Sequence, residues 1–169
     1  MRLTGALIAL LLLAAGCSAG PERRDTAGDE TTARGAGAER MVVEQIVEGQ
    51  SGPAERRVVV AGSAGELAGA TGLEVPDSGE GLYISAHAGE RPTGGYRIAL
   101  SGTENGEIRV ALREPGQGDI VTQSLTRPYA IAVARGERGR APDAGEPRFL
   151  DARGEPLGWP VYRVDANEG

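Results

Sequence analysis

The sequence has no lysine, one cysteine and one histidine, and these scarcities restrict the chemistry open to the chain. A lone cysteine, Cys17, excludes an intramolecular disulfide and any site built from several thiolates. A lone histidine, His87, leaves a zinc site short of ligands. All 18 basic residues are arginines against 24 acidic residues, and the formal net charge of −6 makes the chain a poor partner for nucleic acid.

Motifs of nucleophilic catalysis and of dinucleotide binding are also missing. No Gly-x-Ser-x-Gly elbow occurs, and Ser85 stands two residues before His87 on one face of a predicted strand. The segment Gly116-Gln117-Gly118 lacks the third glycine and the following helix of a dinucleotide motif. We expect His87 to be a partly exposed strand residue. We also expect the chain to be no enzyme and to have no cofactor, no metal and no small-molecule substrate.

The first 16 residues are typical of a secretion signal. Arg2 supplies one positive charge, and the apolar run at residues 6–15 is too short to span a bilayer as a folded anchor. Ala14-Ala15-Gly16 before Cys17 resembles the lipobox of bacterial lipoproteins. The resemblance implies cleavage before Cys17 and lipid on its thiol, with palmitate among the acyl chains. The alternative is an ordinary signal peptide followed by an incidental cysteine.

Residues 17–40 are predicted to form a lipidated, disordered tether. From Ser18 onwards this segment has no large aliphatic or aromatic side chain, so it cannot bury enough apolar surface to offset the entropy of ordering. Its random-coil reach is roughly 25 Å for about twenty residues. In a diderm host, a serine after the lipidated cysteine favours the outer membrane, facing the periplasm or the surface. We therefore expect a lipid-anchored protein of the cell envelope.

Residues 41–169 are predicted to form one domain that is mainly β, α+β at most: a small antiparallel sheet or sandwich with one short helix. The strand-like segments are residues 41–49, 56–62, 81–89, 96–102, 107–115, 119–125 and 129–135, with a shorter pair at 148–152 and 160–164.

Local patterns define the helix and one hairpin within this domain. Residues 63–70 are predicted to be helical, with Ser63 as the N-cap, Glu66 completing a capping box and Leu67 facing inward. The Asn105-Gly106 pair predicts a type I′ turn between the two strands that flank it.

Three stretches of the sequence resemble one protein family. "GERPTGGYRIAL", "IRVALREPGQGDIVTQSLTRPYAIAVAR" and "PRFLDARGEPL", the last with a closing hairpin at Phe149, Asp151 and Gly154, are together similar to the C-terminal domain family of PrcB. That family is named for a subunit of a bacterial surface protease complex. The resemblance covers residues 58–157 and leaves out the tail after Leu157. It implies a β-rich domain and a non-catalytic role in associating with or stabilising a protease.

Three short segments also resemble the loops of chagasin-like inhibitors of papain-type cysteine proteases. Arg91-Pro92-Thr93-Gly94-Gly95-Tyr96, Gly116-Gln117-Gly118 and Arg127-Pro128-Tyr129 occur in the same order as in those inhibitors. The first segment departs from the family, since Arg91 replaces an asparagine and Gly94 a threonine. Direct inhibition of such a protease is therefore an alternative function. A structural envelope lipoprotein with no protease partner is a third.

Two loops are predicted to contact the protein partner. Their residues are Pro92, Thr93, Gly94, Gly95, Tyr96, Arg127, Pro128 and Tyr129. Tyrosine and arginine are common anchors of interfaces, and loops on a rigid sheet commonly carry recognition. The structural alternative is a plain hairpin loop, with both tyrosines in the core or at strand ends and Arg127 capping a turn.

Replacement of Cys17 by serine should release the protein from membranes, because the thiol that would carry the lipid is removed. Membrane pelleting followed by immunoblotting of the envelope fractions measures the effect, with Ser18→Ala as the control. Unchanged pelleting of the Cys17→Ser variant would contradict lipid anchoring through this residue.

Overall fold

The structure is a computed structural model that describes residues 40–136, 139 and 147–164. The predicted signal peptide, Cys17 and the tether up to residue 39 lie outside the described residues. The strands and the helix are β1 (Met41–Gly49), β2 (Arg56–Ala61), α1 (Ala64–Thr71), β3 (Leu82–Ala88), β4 (Arg97–Gly102), β5 (Ile108–Arg113), β6 (Tyr129–Gly136), β7 (Phe149–Leu150) and β8 (Val161–Val164).

These strands form two sheets. The first has five strands in the order β1-β6-β3-β2-β8, and the second has three in the order β4-β5-β7. The pairs β1-β6, β3-β6, β2-β3 and β4-β5 are antiparallel, whereas β2-β8 and β5-β7 are parallel. The predicted class, mainly β with one short helix, is confirmed.

The central strands of the five-stranded sheet are buried on both faces. Because side chains alternate along a strand, β3 contributes Ile84 to the core between the sheets and Tyr83 to a second core on the opposite face. The inner face of β6 carries the fully buried alanines 130, 132 and 134. Larger side chains of the second sheet, among them Ile98 and Ile108, belong to the same core. Small residues on one sheet therefore face large ones on the other.

A glutamine side chain helps to join the two sheets where β1 lies near β4. The β1-β6 register shifts between Gln45 and Val47, which leaves Ile46 outside the ladder. At this bulge the Oε1 atom of Gln45 accepts a hydrogen bond from the backbone N–H of Leu100 in β4, at 3.0 Å. A side chain thus satisfies a backbone donor that a further strand would otherwise have to pair.

The helix α1 confirms Ser63 as the N-cap, but the Glu66 side chain bonds the N–H of Gly62, one residue before the N–H of Ser63 that a capping box uses. The hydroxyl of Ser63 accepts a hydrogen bond from the N–H of Glu66 at 3.3 Å, and the Glu66 carboxylate accepts one from the N–H of Gly62 at 3.0 Å. Gly72 ends the helix in the left-handed region, with φ 69°. Leu67 is fully buried in the second core. No helix in the described ranges is long and apolar enough to cross a membrane.

The predicted strand at residues 119–125 is wrong. The chain there is irregular. It follows a turn at residues 116–119, which the Asp119 side chain closes by accepting a hydrogen bond from the N–H of Gly116 at 2.7 Å. Ile120 is 104% exposed and Leu125 is 68% exposed, so the apolar residues that suggested a strand lie on the surface.

The predicted β4-β5 hairpin is confirmed, but its turn differs from the prediction. The N–H of Gly106 donates to the carbonyl of Thr103 at 3.2 Å, so the central residues are Glu104 and Asn105. Gly106 follows them with φ 73°. This is the three-residue hairpin loop that ends in a left-handed glycine, and the type I′ assignment is wrong.

The closing hairpin forms, but the two short strands around it separate. The N–H of Leu157 donates to the carbonyl of Phe149 at 2.9 Å, and the N–H of Asp151 donates to that of Glu155 at 2.8 Å. Beyond this hairpin the chain changes sheets, since β7 pairs with β5 and β8 pairs with β2. Crossing between sheets places β8 at one end of the five-stranded sheet.

Replacement of Leu67 by alanine should lower the free energy of unfolding by about 2 to 5 kcal/mol, because it removes a fully buried side chain from the core under the helix. The matched control is Leu125→Ala, which should change stability by about 0.5 kcal/mol or less, since Leu125 is 68% exposed. Urea unfolding measures both. Equal losses in the two variants would contradict the assigned core.

Candidate functional site

The two predicted partner-binding loops lie against each other and are joined by backbone hydrogen bonds. Residues 89–96 connect β3 to β4, and residues 114–128 connect β5 to β6. The N–H of Arg91 donates to the carbonyl of Thr126 at 2.8 Å, and the N–H of Thr126 donates back to that of Arg91 at 3.0 Å. The hydroxyl of Thr126 also donates to the carbonyl of Thr93 at 2.7 Å. We call residues 90–96 and 115–129 together the loop surface.

A third connection, between β1 and β2, supports the loop surface from one side. Arg127 donates its N–H to the carbonyl of Gln50 at 2.8 Å, and its own carbonyl accepts from the N–H of Gly52 at 2.8 Å. The side-chain amide of Gln50 donates to the carbonyl of Tyr96, also at 2.8 Å. These contacts hold the backbone of both predicted loops in place.

Gly94 and Gly95 are needed for the packing of the loop surface as well as for its turn. Gly94 donates its N–H to the carbonyl of Thr122 at 2.8 Å. Gly95 has φ 85°, and a Cβ atom there would lie 2.7 Å from Val121 and 3.0 Å from Pro115. The loop with the Gly116-Gln117-Gly118 segment therefore packs directly against the Gly-Gly turn. The three segments that resemble inhibitor loops are neighbours in the structure.

Arg91 and Tyr96 face each other within the first loop. The guanidinium carbon of Arg91 lies over the Tyr96 ring, 5.7 Å from the ring centroid, which is within the range of a cation–π contact. The Nε and Nη2 atoms of Arg91 are buried and have no hydrogen-bond partner among the described residues. Both residues are half-buried as a whole, so part of each remains open to solvent.

The predicted anchor Arg127 lies at the surface. Its Nη2 atom is 3.1 Å from a carboxylate oxygen of Glu90, and both side chains are almost half exposed. An ion pair with that exposure contributes little to folding stability. Arg127 is therefore an exposed part of the loop surface, and its guanidinium is oriented by the ion pair with Glu90.

Pro128 and Tyr129 lie deeper than Arg127. Pro128 is fully buried, and its carbonyl accepts a hydrogen bond from the N–H of Ala88 at 3.0 Å. Tyr129 is the first residue of β6 and is half-buried, with its ring over Gly49, where a Cβ atom would collide with it, and next to Gly52, where a Cβ atom would fit only tightly. Pro128 and Tyr129 are therefore the more buried part of the loop surface, and of the two only Tyr129 is partly exposed.

His87 is fully buried, which corrects the expectation of a partly exposed residue. Its Nε2 atom shares a hydrogen bond of 3.0 Å with the hydroxyl of Ser85, which is also fully buried, and its ring stacks near Tyr129. Burial, and secondly the charge of Arg57, lower the pKa of His87 to about 4. Both faces of the five-stranded sheet are covered by core residues, so His87 is buried although it lies near the end of its strand.

The arrangement at Ser85 and His87 suits a buried polar pair better than a nucleophile with its base. Both side chains are fully buried, whereas catalysis requires contact with a substrate. The described ranges also contain no group of three or more histidine, cysteine, aspartate or glutamate residues placed to hold a metal ion.

Sequence reasoning missed Ile120 and Leu125, the two most exposed large hydrophobic residues of the described chain. Each is next to a residue that holds the loop surface together: Ile120 precedes Val121, and Leu125 precedes Thr126. The available signal was Asp119, which stands three residues after Gly116 and closes a turn immediately before the apolar run.

The described residues form a small two-sheet β fold in which three strand connections are joined to one another by hydrogen bonds. Residues 82–135 match the family described as PrcB C-terminal, which confirms the predicted resemblance to that family. The match begins at the first residue of β3 and ends inside β6, so it includes the whole loop surface. No curated protein and no solved structure matches the chain.

The stability of the protein should fall as the pH is lowered below about 6.5, because the pKa of His87 is about 4 in the folded chain and ordinary in the unfolded one. Since the unfolded chain binds the proton more readily, the loss should be on the order of 3 kcal/mol at pH 4. Urea unfolding of the wild type and of His87→Gln at pH 7 and pH 4.5 isolates this contribution.

NMR titration gives a direct control, since the chain has one histidine. The imidazole C–H resonance should titrate with a midpoint near the lowered pKa of about 4. A midpoint at the ordinary pKa, or the same pH dependence of stability in His87→Gln, would contradict the assignment.

Proposed function

We propose that this chain is a non-catalytic lipoprotein of the cell envelope that binds or stabilises a partner protein, a surface or periplasmic protease, through the loop surface. The observation that carries the proposal is the match to the PrcB C-terminal family at residues 82–135, which suggests a subunit of a protease complex. That segment contains both loops predicted to contact the partner.

The physical state of the loop surface supports a binding role. Backbone hydrogen bonds join its two loops to each other and to the β1-β2 connection, so little conformational entropy remains to be lost on binding. Its side chains include Tyr96, Arg127, Ile120 and Leu125, which combine an aromatic ring, an exposed guanidinium and exposed aliphatic surface. Leu125 stands two residues before Arg127, so an exposed apolar side chain and an exposed guanidinium occur on the same connection.

The N-terminal segments complete the proposal. Residues 1–16 act as the signal peptide, Cys17 carries the lipid, and residues up to 40 act as the tether of a domain at 41–169. A domain held in this way explores the space near one membrane, where an envelope protease would be encountered at high effective concentration.

A second candidate function is direct inhibition of papain-like cysteine proteases. It is favoured by one observation: Gly94 and Gly95, at the centre of the first inhibitor-like segment, contact the loop that carries the second, and Arg91 pairs with Thr126 next to the third. The departures at Arg91 and Gly94 count against it, because they replace side chains that define the inhibitor loop.

The main experiment is crosslinking in the native envelope, followed by identification of captured proteases with active-site probes. Tyr96→Ala and Arg127→Ala should each lower recovery of the protease about tenfold or more, since aromatic and arginine anchors dominate interface energies. The matched controls are Tyr162→Ala and Arg109→Ala, exposed residues on β8 and β5. The half-life of the captured protease should shorten in cells that lack the chain.

The outcomes separate the candidate functions. Stoichiometric inhibition of papain by the purified chain, lost in Tyr96→Ala, would favour the inhibitor. Failure to capture a protease, with no effect on papain, would contradict both and leave a structural envelope protein.

A further inference from the structure

The guanidinium of Arg91 has one edge whose donors are unused. Its Nε and Nη2 atoms are buried and have no hydrogen-bond partner in the described part of the chain. The N–H groups of these two nitrogens point to the same side of the planar guanidinium, which is the geometry that receives both oxygens of a carboxylate. The nearest acidic residue in sequence, Glu90, is engaged with Arg127.

Burying such donors without partners is unfavourable, so the arrangement calls for a reason. The Tyr96 ring lies against the guanidinium, with its centroid 5.7 Å from the Arg91 Cζ atom. The face of an aromatic ring attracts the positive charge, but it offers no pair of oxygen acceptors to the two N–H groups. A carboxylate that reached this edge would therefore satisfy two donors that have no acceptor within the described part of the chain.

We propose that Arg91 recognises a carboxylate side chain, an aspartate or glutamate, on an extended segment of the partner protein, and that Tyr96 moves from the guanidinium to admit it. The inference rests on the proposed function, because it names what the loop surface recognises. Aliphatic residues beside that carboxylate would contact Leu125, which precedes Thr126, the backbone partner of Arg91. Ile120, on the same connection between β5 and β6, is also exposed.

The charges around the loop surface favour a single carboxylate within an apolar segment over a polyanion. The chain has a net charge of −6, and Glu90, Glu114 and Asp119 lie in or next to the loop surface. Nucleic acid or an anionic lipid surface would be repelled by these groups. One carboxylate matches the one guanidinium edge without hydrogen-bond partners, whereas several negative charges on the partner would be repelled by the acidic residues around the loop surface.

The test observes the Nε–H resonances of the arginines by NMR in the purified full-length chain. That of Arg91 is identified by its disappearance in Arg91→Gln. Isovalerate should shift this resonance in a saturable way, whereas isovaleramide, of the same shape without the charge, should not. The resonance of Arg109, exposed on β5, serves as the internal control.

A peptide arm tests whether the carboxylate belongs to a protein segment. Acetyl-Leu-Glu-Ile-amide should bind at least tenfold more tightly than isovalerate, and its glutamine counterpart should not shift Arg91. Equal shifts from the uncharged probes, no shift from either carboxylate, or peptide binding no tighter than that of isovalerate would each overturn the inference. Self-association of the chain that is lost in Arg91→Gln would also overturn it, because the carboxylate would then come from a second copy.

The failure of this inference and of the proposed function are distinguishable. If Arg91→Gln leaves protease capture unchanged while Tyr96→Ala abolishes it, carboxylate recognition is wrong and the binding function stands. If no protease is captured but the NMR titrations succeed, Arg91 recognises carboxylates and the protease assignment is wrong.

Discussion

The pair of backbone hydrogen bonds between Arg91 and Thr126 is the constraint on which the candidate site depends. It joins two connections that are about thirty-five residues apart in the chain, and it does so without lengthening any strand of either sheet. Once these two residues are paired, the Gly-Gly turn is brought against Pro115 and Val121, and the backbone of Arg127 reaches the β1-β2 connection. Residues of two separate connections that are predicted to contact a partner are thereby placed on one support.

Much of the fold followed from short-range patterns in the sequence. Seven of the predicted strand segments correspond closely in position to β1 through β6 and β8, and Ser63 and Leu67 have their predicted roles. These features depend on alternation and on capping, which act between neighbours in the chain. Pairing between distant segments was less accessible: the two short strands near the C-terminal end look alike in sequence but belong to different sheets.

The failures at the site have related physical causes. Residues 119–125 resemble a strand in sequence, but the Asp119 side chain closes a turn with Gly116. The next pairings along the chain are isolated bridges, Thr126 with Arg91 and Arg127 with Ser51. His87 was expected to be partly exposed because it stands two residues before a turn, whereas both faces of its sheet are covered and the side chain is fully buried. The unused edge of Arg91 could not be predicted, since it depends on which acidic residues the fold leaves nearby.

The exposure of Ile120 and Leu125 has a consequence for the abundance of the protein. Two large exposed aliphatic side chains on one loop favour aggregation of copies that have no partner bound. Anchoring on a membrane would raise the local concentration of those copies. The excess of acidic residues opposes contact between like-charged copies, but this repulsion acts over only about 8 Å at physiological ionic strength. A cell would then avoid aggregation of the protein by making no more of it than of the partner that covers these two side chains.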